Sequence, residues 1–188
     1  MAHSNHGIIA GKLQGMLGKE LVFRDWEGKT VVAKAPKART NKTLSSGQQA
    51  LQEKFLLAAR YGKSVLADEA MTAGYAAVLK PRQNVYGRAV TDFLSAPVVT
   101  QINTKSYKGA IGDPIVVRAF DDFRVTGVLV EIHAANGTLL EQGAALAQSN
   151  GLDWSYTVTQ VNTALAGSKV KATAIDVPGN EGTLEVTL

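Results

Sequence analysis

Cysteine is absent from this chain of 188 residues. That absence excludes disulfides, thiolate zinc sites and cysteine nucleophiles. Histidine is scarce: His3 and His6 lie near the start, and His133 is the only internal one. His3 and His6 stand three apart on a small, polar stretch, where two solvated side chains are a simpler reading than a metal pair. His133 has the opposite parity to Val128, Val130 and Ile132, so it is expected at the surface and outside any triad. No Gly-x-Ser-x-Gly elbow, phosphate loop or dinucleotide fingerprint occurs. Aromatic residues make up only 6%. These absences predict a chain that is not an enzyme and carries no cofactor. No apolar run approaches the roughly 18 residues that span a bilayer, so no membrane span is expected. Ile8-Ile9-Ala10 is too short for the apolar part of a signal peptide, and no basic segment precedes it. The expectation is a protein that is cytoplasmic at synthesis, with no cleaved leader.

What is present is unevenly charged. Residues 1–95 hold 14 Lys+Arg against 7 Asp+Glu, and residues 96–188 hold 6 against 9. The basic pI near 9.3 therefore belongs to the first half. Such asymmetry implies two domains with different partners, or domains that attract each other.

The second half carries the clearest pattern. Ile115, Val117 and Ala119 share one parity, as do Val128, Val130 and Ile132. So do Leu152, Trp154, Tyr156 and Val158, then Val170, Ala172 and Ala174, then Leu184, Val186 and Leu188. Period two with a β-branched bias marks strands that bury one face. Asn136-Gly137, Asn150-Gly151, Ala166-Gly167 and Pro178-Gly179-Asn180 separate the segments. Val98 to Ile102 adds a first strand, and Ile111 to Pro114 turns into the second. About seven strands between residues 97 and 188 suit an immunoglobulin-like or fibronectin-like sandwich.

The first half mixes elements. Gly11, Gly15 and Gly18 punctuate a strand or loop rather than a helix, because glycine is costly inside helices. Leu21 to Arg24 and Thr30 to Lys34 flank a hairpin turn near Glu27-Gly28. Trp26 at that turn reads as a clamp on the following helix or as an exposed anchor for a partner, with packing the simpler of the two. Lys34, Lys37, Arg39 and Lys42 then crowd into nine positions. They read as contacts to phosphate or to an acidic surface, or as a solvated linker that guards an edge strand. A helix is expected from Thr43 or Ser45, with Ser45 and Gln48 at capping-box spacing and Leu51, Phe55, Ala58 and Ala59 on its apolar face. Gly62 is expected to break it. A second helix runs from about Ser64 or Ala67 to Leu79 and stops at Pro81, and a third covers Val85 to Leu94. Ser95-Ala96-Pro97 marks the boundary. The expected fold class is therefore α+β: a basic hairpin-plus-helices domain over 1–95, then an all-β immunoglobulin-like sandwich over 97–188.

Two resemblances accompany this reading. Gly11-Lys12, Gly15, Gly18, Trp26, Lys29 to Pro36, Thr43, Gln49, Lys54 and Phe55 stand in an order that resembles an uncharacterised family of small Bacteroidota proteins. The resemblance covers roughly residues 7–95. Proteins of this sort are similar to ones encoded beside phage-like or contractile-injection particles, which implies a particle-associated role. Gly137-Thr138-Leu139-Leu140, Gly143, Trp154-Ser155-Tyr156 and Ala174-x-Asp176-x-x-Gly179-Asn180 resemble bacterial immunoglobulin-like modules. In some of those, acids near such turns bind calcium, which makes Asp121, Asp122 and Asp176 calcium candidates here. Calcium takes six to eight oxygens, so the alternative is that Asp176 braces the Pro178-Gly179-Asn180 turn.

The expected function is a non-enzymatic structural or interaction protein. It would be an accessory or packaged cargo component of a phage or phage-tail-like contractile injection particle, carried out of the cell inside or on it. Its partner-binding residues would be Trp26, Lys29, Lys34, Lys37, Arg39 and Lys42, facing a protein partner or particle surface. The alternatives are nucleic-acid binding through the basic segment, or a toxin or effector with an unrecognised site.

Overall fold

The computed structural model describes residues 14–37 and 44–188, and of His3–Ser4 the backbone alone. Two units divide the chain, Met1–Ser45 and Ser46–Leu188. In the first, β1 (His3–Ser4), β2 (Gly15–Leu17), β3 (Leu21–Trp26) and β4 (Lys29–Lys34) form an antiparallel sheet in the order β1-β4-β3-β2. The predicted hairpin is there: Trp26 pairs with Lys29 around Glu27 (φ 56) and Gly28 (φ 77), and Gly28 N–H donates to Asp25 Oδ1 at 2.9 Å. Two central residues at positive φ match the right-handed twist of a hairpin. The β2–β3 turn repeats the device with Gly18 (φ 61) and Lys19 (φ 58).

The second unit begins with α1 (Ser46–Ala67), α2 (Glu69–Ala76) and α3 (Val85–Leu94). Asp68 caps α2 by accepting from Met71 N–H at 3.0 Å, and Asn84 caps α3 by accepting from Gly87 N–H at 2.7 Å. The expected break at Gly62 does not occur, and α1 runs through it. A Cβ there would lie 2.9 Å from Tyr86 and Val90, so this glycine lets α3 approach rather than ending the helix. The expected apolar face of α1 is split. Ala58, Gly62 and Val65 are buried, whereas Leu51 and Phe55, two turns and one turn before Ala58, are exposed.

Eight strands follow: β5 (Val98–Asn103), β6 (Pro114–Phe120), β7 (Val125–His133), β8 (Leu139–Ala144), β9 (Leu146–Ala147), β10 (Asp153–Thr157), β11 (Lys169–Asp176) and β12 (Glu181–Thr187). They make two antiparallel sheets, β5-β6-β10-β9 and β12-β11-β7-β8. Lettered in chain order, with β8 as C′, these are A-B-E-D and G-F-C-C′, the immunoglobulin-like arrangement. The alternating rows meet as expected. Ile115, Val117, Ala119, Val128, Val130, Ile132, Tyr156, Val158, Val170, Ala172 and Ala174 all lie in one core, with Trp154, Leu184, Val186 and Leu188 against its margin. Leu152 alone of the five sets stays exposed. The mixed α+β class and the sandwich are thus present.

The boundary between the two units lies at Ser45/Ser46, not at the expected Ser95-Ala96-Pro97, and side chains explain why. Tyr75 of α2 stacks on Phe123 of the β6–β7 loop, with ring centroids 4.0 Å apart. Asn180, in the β11–β12 turn, donates to the carbonyls of Asp92 at 3.3 Å and Ser95 at 3.0 Å. A Cβ at Gly182 would overlap the Pro97 carbonyl, so β12 starts hard against the segment leaving α3. The helices cap one end of the sandwich and share its unit.

Candidate functional site

The partner-binding residues expected from the sequence fall into two separate places. Trp26 and Lys29 are cross-strand neighbours at the hairpin end of the β3–β4 ladder. Trp26 is 71% exposed, and its indole is offered to solvent. Lys34 lies at the other end of β4, five residues from Lys29, which is roughly 17 Å along a strand. It pairs with Leu21 and so points to the opposite face from Trp26 and Lys29. Arg39 and Lys42 lie outside the described residues.

Lys34 has neighbours that the sequence did not flag. Glu20 N–H donates to Leu17 O at 3.1 Å, closing the Gly18-Lys19 turn, and Ala35 N–H donates to Glu20 O at 2.6 Å. The second bond extends the ladder past β4 and lays Pro36 and Lys37 beside that turn. A cavity of about 890 Å³ opens there. Met16, Leu21 and Pro36 give it apolar walls, Lys19, Lys34 and Lys37 supply three cations, and Glu20 is its one acid. Among the described residues none of the three lysines has an ion-pair partner. Lys19 was missed because its place in the groove depends on the Ala35–Glu20 bond. Its one local signal is the preceding Gly18.

The sheet around this groove is thinly covered. Thr30 is its only buried residue among those described, Val22, Phe23, Val31 and Val32 are half-buried, and Met16, Leu17, Leu21 and Trp26 are exposed. Strand parity and register put Leu17, Leu21, Phe23 and Val32 on one face and Met16, Val22, Val31 and Trp26 on the other. Both faces are therefore partly apolar.

The calcium candidates do not form a metal centre. Asp121 Oδ2 accepts from Phe123 N–H and Arg124 N–H, each at 2.9 Å. Asp122 offers its carbonyl to Arg88. Asp176 is buried and accepts from Asn180 N–H at 2.6 Å and Asn180 Nδ2 at 2.7 Å. It braces the Pro178-Gly179-Asn180 turn, the alternative the sequence left open. Among the described residues no group of three or more His, Asp or Glu could hold a metal ion. His133 lies half-buried, its Nδ1 3.4 Å from Gly137 O.

A buried polar chain lies nearby that the sequence did not announce. Tyr61 and Tyr75 share a hydrogen bond at 2.9 Å, and Tyr75 Oη donates to Asp92 Oδ2 at 2.7 Å. Tyr75 and Asp92 are fully buried, and Asp92 Oδ1 has no partner. Burial pushes the Asp92 carboxyl up to about 6. The Tyr75 hydrogen bond opposes that rise, Asp121 and Asp176 add to it, and Arg88 opposes it. The chain ties α1, α2 and α3 together beside Asn180. Its members stand 14 and 17 residues apart, beyond any local motif.

Two further hollows belong to the second unit. One of about 530 Å³ is lined by Lys108, Ile111, Val161, Asn162 and Leu165 among others. One of about 280 Å³ lies at the start of α3, beside Arg82, Asn84, Arg88 and Thr91. Among the described residues no helix is long and apolar enough to cross a membrane.

Comparison with known proteins adds little. No family model matches the chain, and no curated protein does. Among solved structures, the crystal structure of an engineered protein is similar over 58% of this chain and 27% of its own length, at 21% identity and a TM-score of 0.32.

Proposed function

We propose that this chain is a non-enzymatic interaction protein. The helix-capped sandwich is its self-sufficient body, and the N-terminal sheet is its docking layer. One observation carries the reading: a four-stranded sheet that buries only Thr30 among its described residues, while Met16, Leu17, Leu21 and Trp26 remain exposed. An antiparallel sheet commonly covers one face and wets the other. A sheet that leaves apolar side chains exposed on both faces has the character of an interaction surface. The surrounding charge supports one kind of partner. Residues 1–45 hold 8 Lys+Arg against 3 Asp+Glu, which suits an acidic surface. We place that surface on a phage-like or contractile-injection particle, with this chain as accessory or packaged cargo.

The test is cosedimentation with particles from the producing cells. The full chain should travel with them. A chain lacking residues 1–45 should stay in the supernatant while keeping the far-UV spectrum and melting transition of the sandwich. Equal sedimentation of the two chains refutes the reading. Nucleic-acid binding through the same lysines predicts instead an affinity for oligonucleotides that falls steeply with salt, on a slope set by the phosphates contacted.

A further inference from the structure

We infer that the groove at the Gly18-Lys19 end of the N-terminal sheet takes an extended acidic segment of a partner protein, one that alternates carboxylates with apolar anchors. This rests on the docking reading above and names its chemistry. Four features support it. The cavity, at about 890 Å³, is at the upper end of the range for small-molecule pockets, roughly 300–1,000 Å³, which leaves room for several residues of chain. Its walls are Met16, Leu21 and Pro36, and Met16 and Leu21 are substantially exposed, so apolar side chains would gain by covering them. Lys19 from the β2–β3 turn and Lys34 and Lys37 from the end of β4 and the residues after it converge on it, and none has an ion-pair partner among the described residues.

The fourth feature is conformational. Lys19 sits at φ 58, a region that L residues other than Asn and Asp rarely enter. The twin turn places Gly28 at the equivalent position. A lysine held where glycine or asparagine is the easier choice points to a use for its ammonium group. The chemistry also favours a peptide over a nucleic acid. Phosphate backbones pair with cations but gain nothing from methionine, leucine and proline walls. Single-stranded binders place aromatic rings for bases to stack on, and this lining contains none.

The experiment uses the full chain and a fluorescently labelled Glu-Asp-Leu-Asp-Phe-Glu peptide, read by anisotropy at low salt. Its counterpart with lysine at every acidic position and a single-stranded oligonucleotide are the other probes. The test variant is Lys19→Asn, Lys34→Gln and Lys37→Gln together. Asparagine suits the Lys19 backbone and the other two positions are exposed, so folding is preserved. Binding of the acidic peptide alone, weakened about tenfold or more in the triple variant and unchanged in Lys105→Gln, an exposed lysine of the second unit, is the expected result. Equal binding by the triple variant, no binding of the peptide, or tighter binding of the oligonucleotide each overturns the inference. The two readings fail separately. If the triple variant still travels with particles and Trp26→Ser does not, the groove is wrong and the docking layer stands. If the chain lacking residues 1–45 still travels with them, the docking layer is wrong, and the peptide titration judges the groove alone.

Discussion

The molecule covers its sheets in two different ways. The N-terminal sheet and the sheets of the sandwich are all four-stranded and antiparallel, but the regular alternation of apolar residues belongs to the sandwich, while Thr30, Val31 and Val32 stand consecutively in β4. In the sandwich a second sheet faces the first, and Val130, Ile132, Val170 and Ala172 lose all contact with water. In the N-terminal sheet no described residue reaches that state, and Thr30, at 8% exposure, comes nearest. Their charges differ in the same sense. Lys169 and Lys171 of the sandwich pair with Glu185 and Glu131 at 2.9 and 3.0 Å, whereas Lys19, Lys34 and Lys37 have no such partner among the described residues. Backbone pairing is enough to make strands, and a second layer is what removes their side chains from water.

The sharpest way to break this comparison is to cut the same kind of group from each region. Ile132→Ala should cost about 2–4 kcal/mol, because the sandwich around it cannot collapse to fill the space. Val31→Ala, in the half-buried N-terminal sheet, should cost well under half of that. Urea unfolding followed by Trp154 fluorescence, in a Trp26→Phe background, reads the first change. Amide exchange reads the second. Similar costs at the two positions would mean that the N-terminal sheet is covered after all.

A smaller effect comes from Asp92, and its direction follows from linkage. The folded chain holds this proton up to about pH 6, against an ordinary value of 3.8. Protonation therefore stabilises the fold. The contribution is fully present below the ordinary value and is lost as pH rises through about 6. Tyr75, Tyr61, Asp121, Asp176 and Arg88 are the ionisable groups that act on it. Asp92→Asn cannot titrate, so the stability of the native chain relative to this variant should fall by roughly 2–3 kcal/mol between pH 4 and pH 6. A pH-independent difference would show that water reaches Asp92. Asn180→Ala should cost less, about 1–2 kcal/mol, by removing the donor shared among Asp92 O, Ser95 O and Asp176. It loosens the helices from the sandwich without opening either core, so differential exchange of α3 amides is its signature.

How much of this was legible beforehand depended on range. The core rows of the sandwich were, because burying one face leaves a period-two trace in each strand by itself. The ends of α3 were too, since Asn84 caps it and Val98 begins the next strand within a few residues. The Glu27-Gly28 turn and the Asp176 brace are likewise local chemistry. Gly62 misled because a glycine in a helix reads as a breaker until the neighbour it admits, here Tyr86 and Val90, is known. The unit boundary misled for a related reason. Ser95-Ala96-Pro97 looks like a linker, but Asn180, 85 residues further on, fastens it to the sandwich. The groove was half visible. Lys34 and Lys37 stood out as charges, while Lys19 joined them only through a backbone bond across the hairpin.

The smallest expected effect concerns Trp26, and it tests the comparison from the other side. A tryptophan contributing to a core costs about 3–5 kcal/mol when truncated. Trp26 is 71% exposed, so Trp26→Ser should change stability by less than about 0.5 kcal/mol. Its place at the hairpin tip opposite Lys29 nonetheless makes it the largest apolar side chain that the N-terminal sheet offers to a partner. Buried aromatic anchors dominate interface energies, so the same substitution should weaken particle association about tenfold or more while the melting temperature holds. A drop in melting temperature would assign the indole to the fold. If neither quantity moves, the hairpin tip is outside the interface, and the Lys19 end of the sheet carries the binding alone.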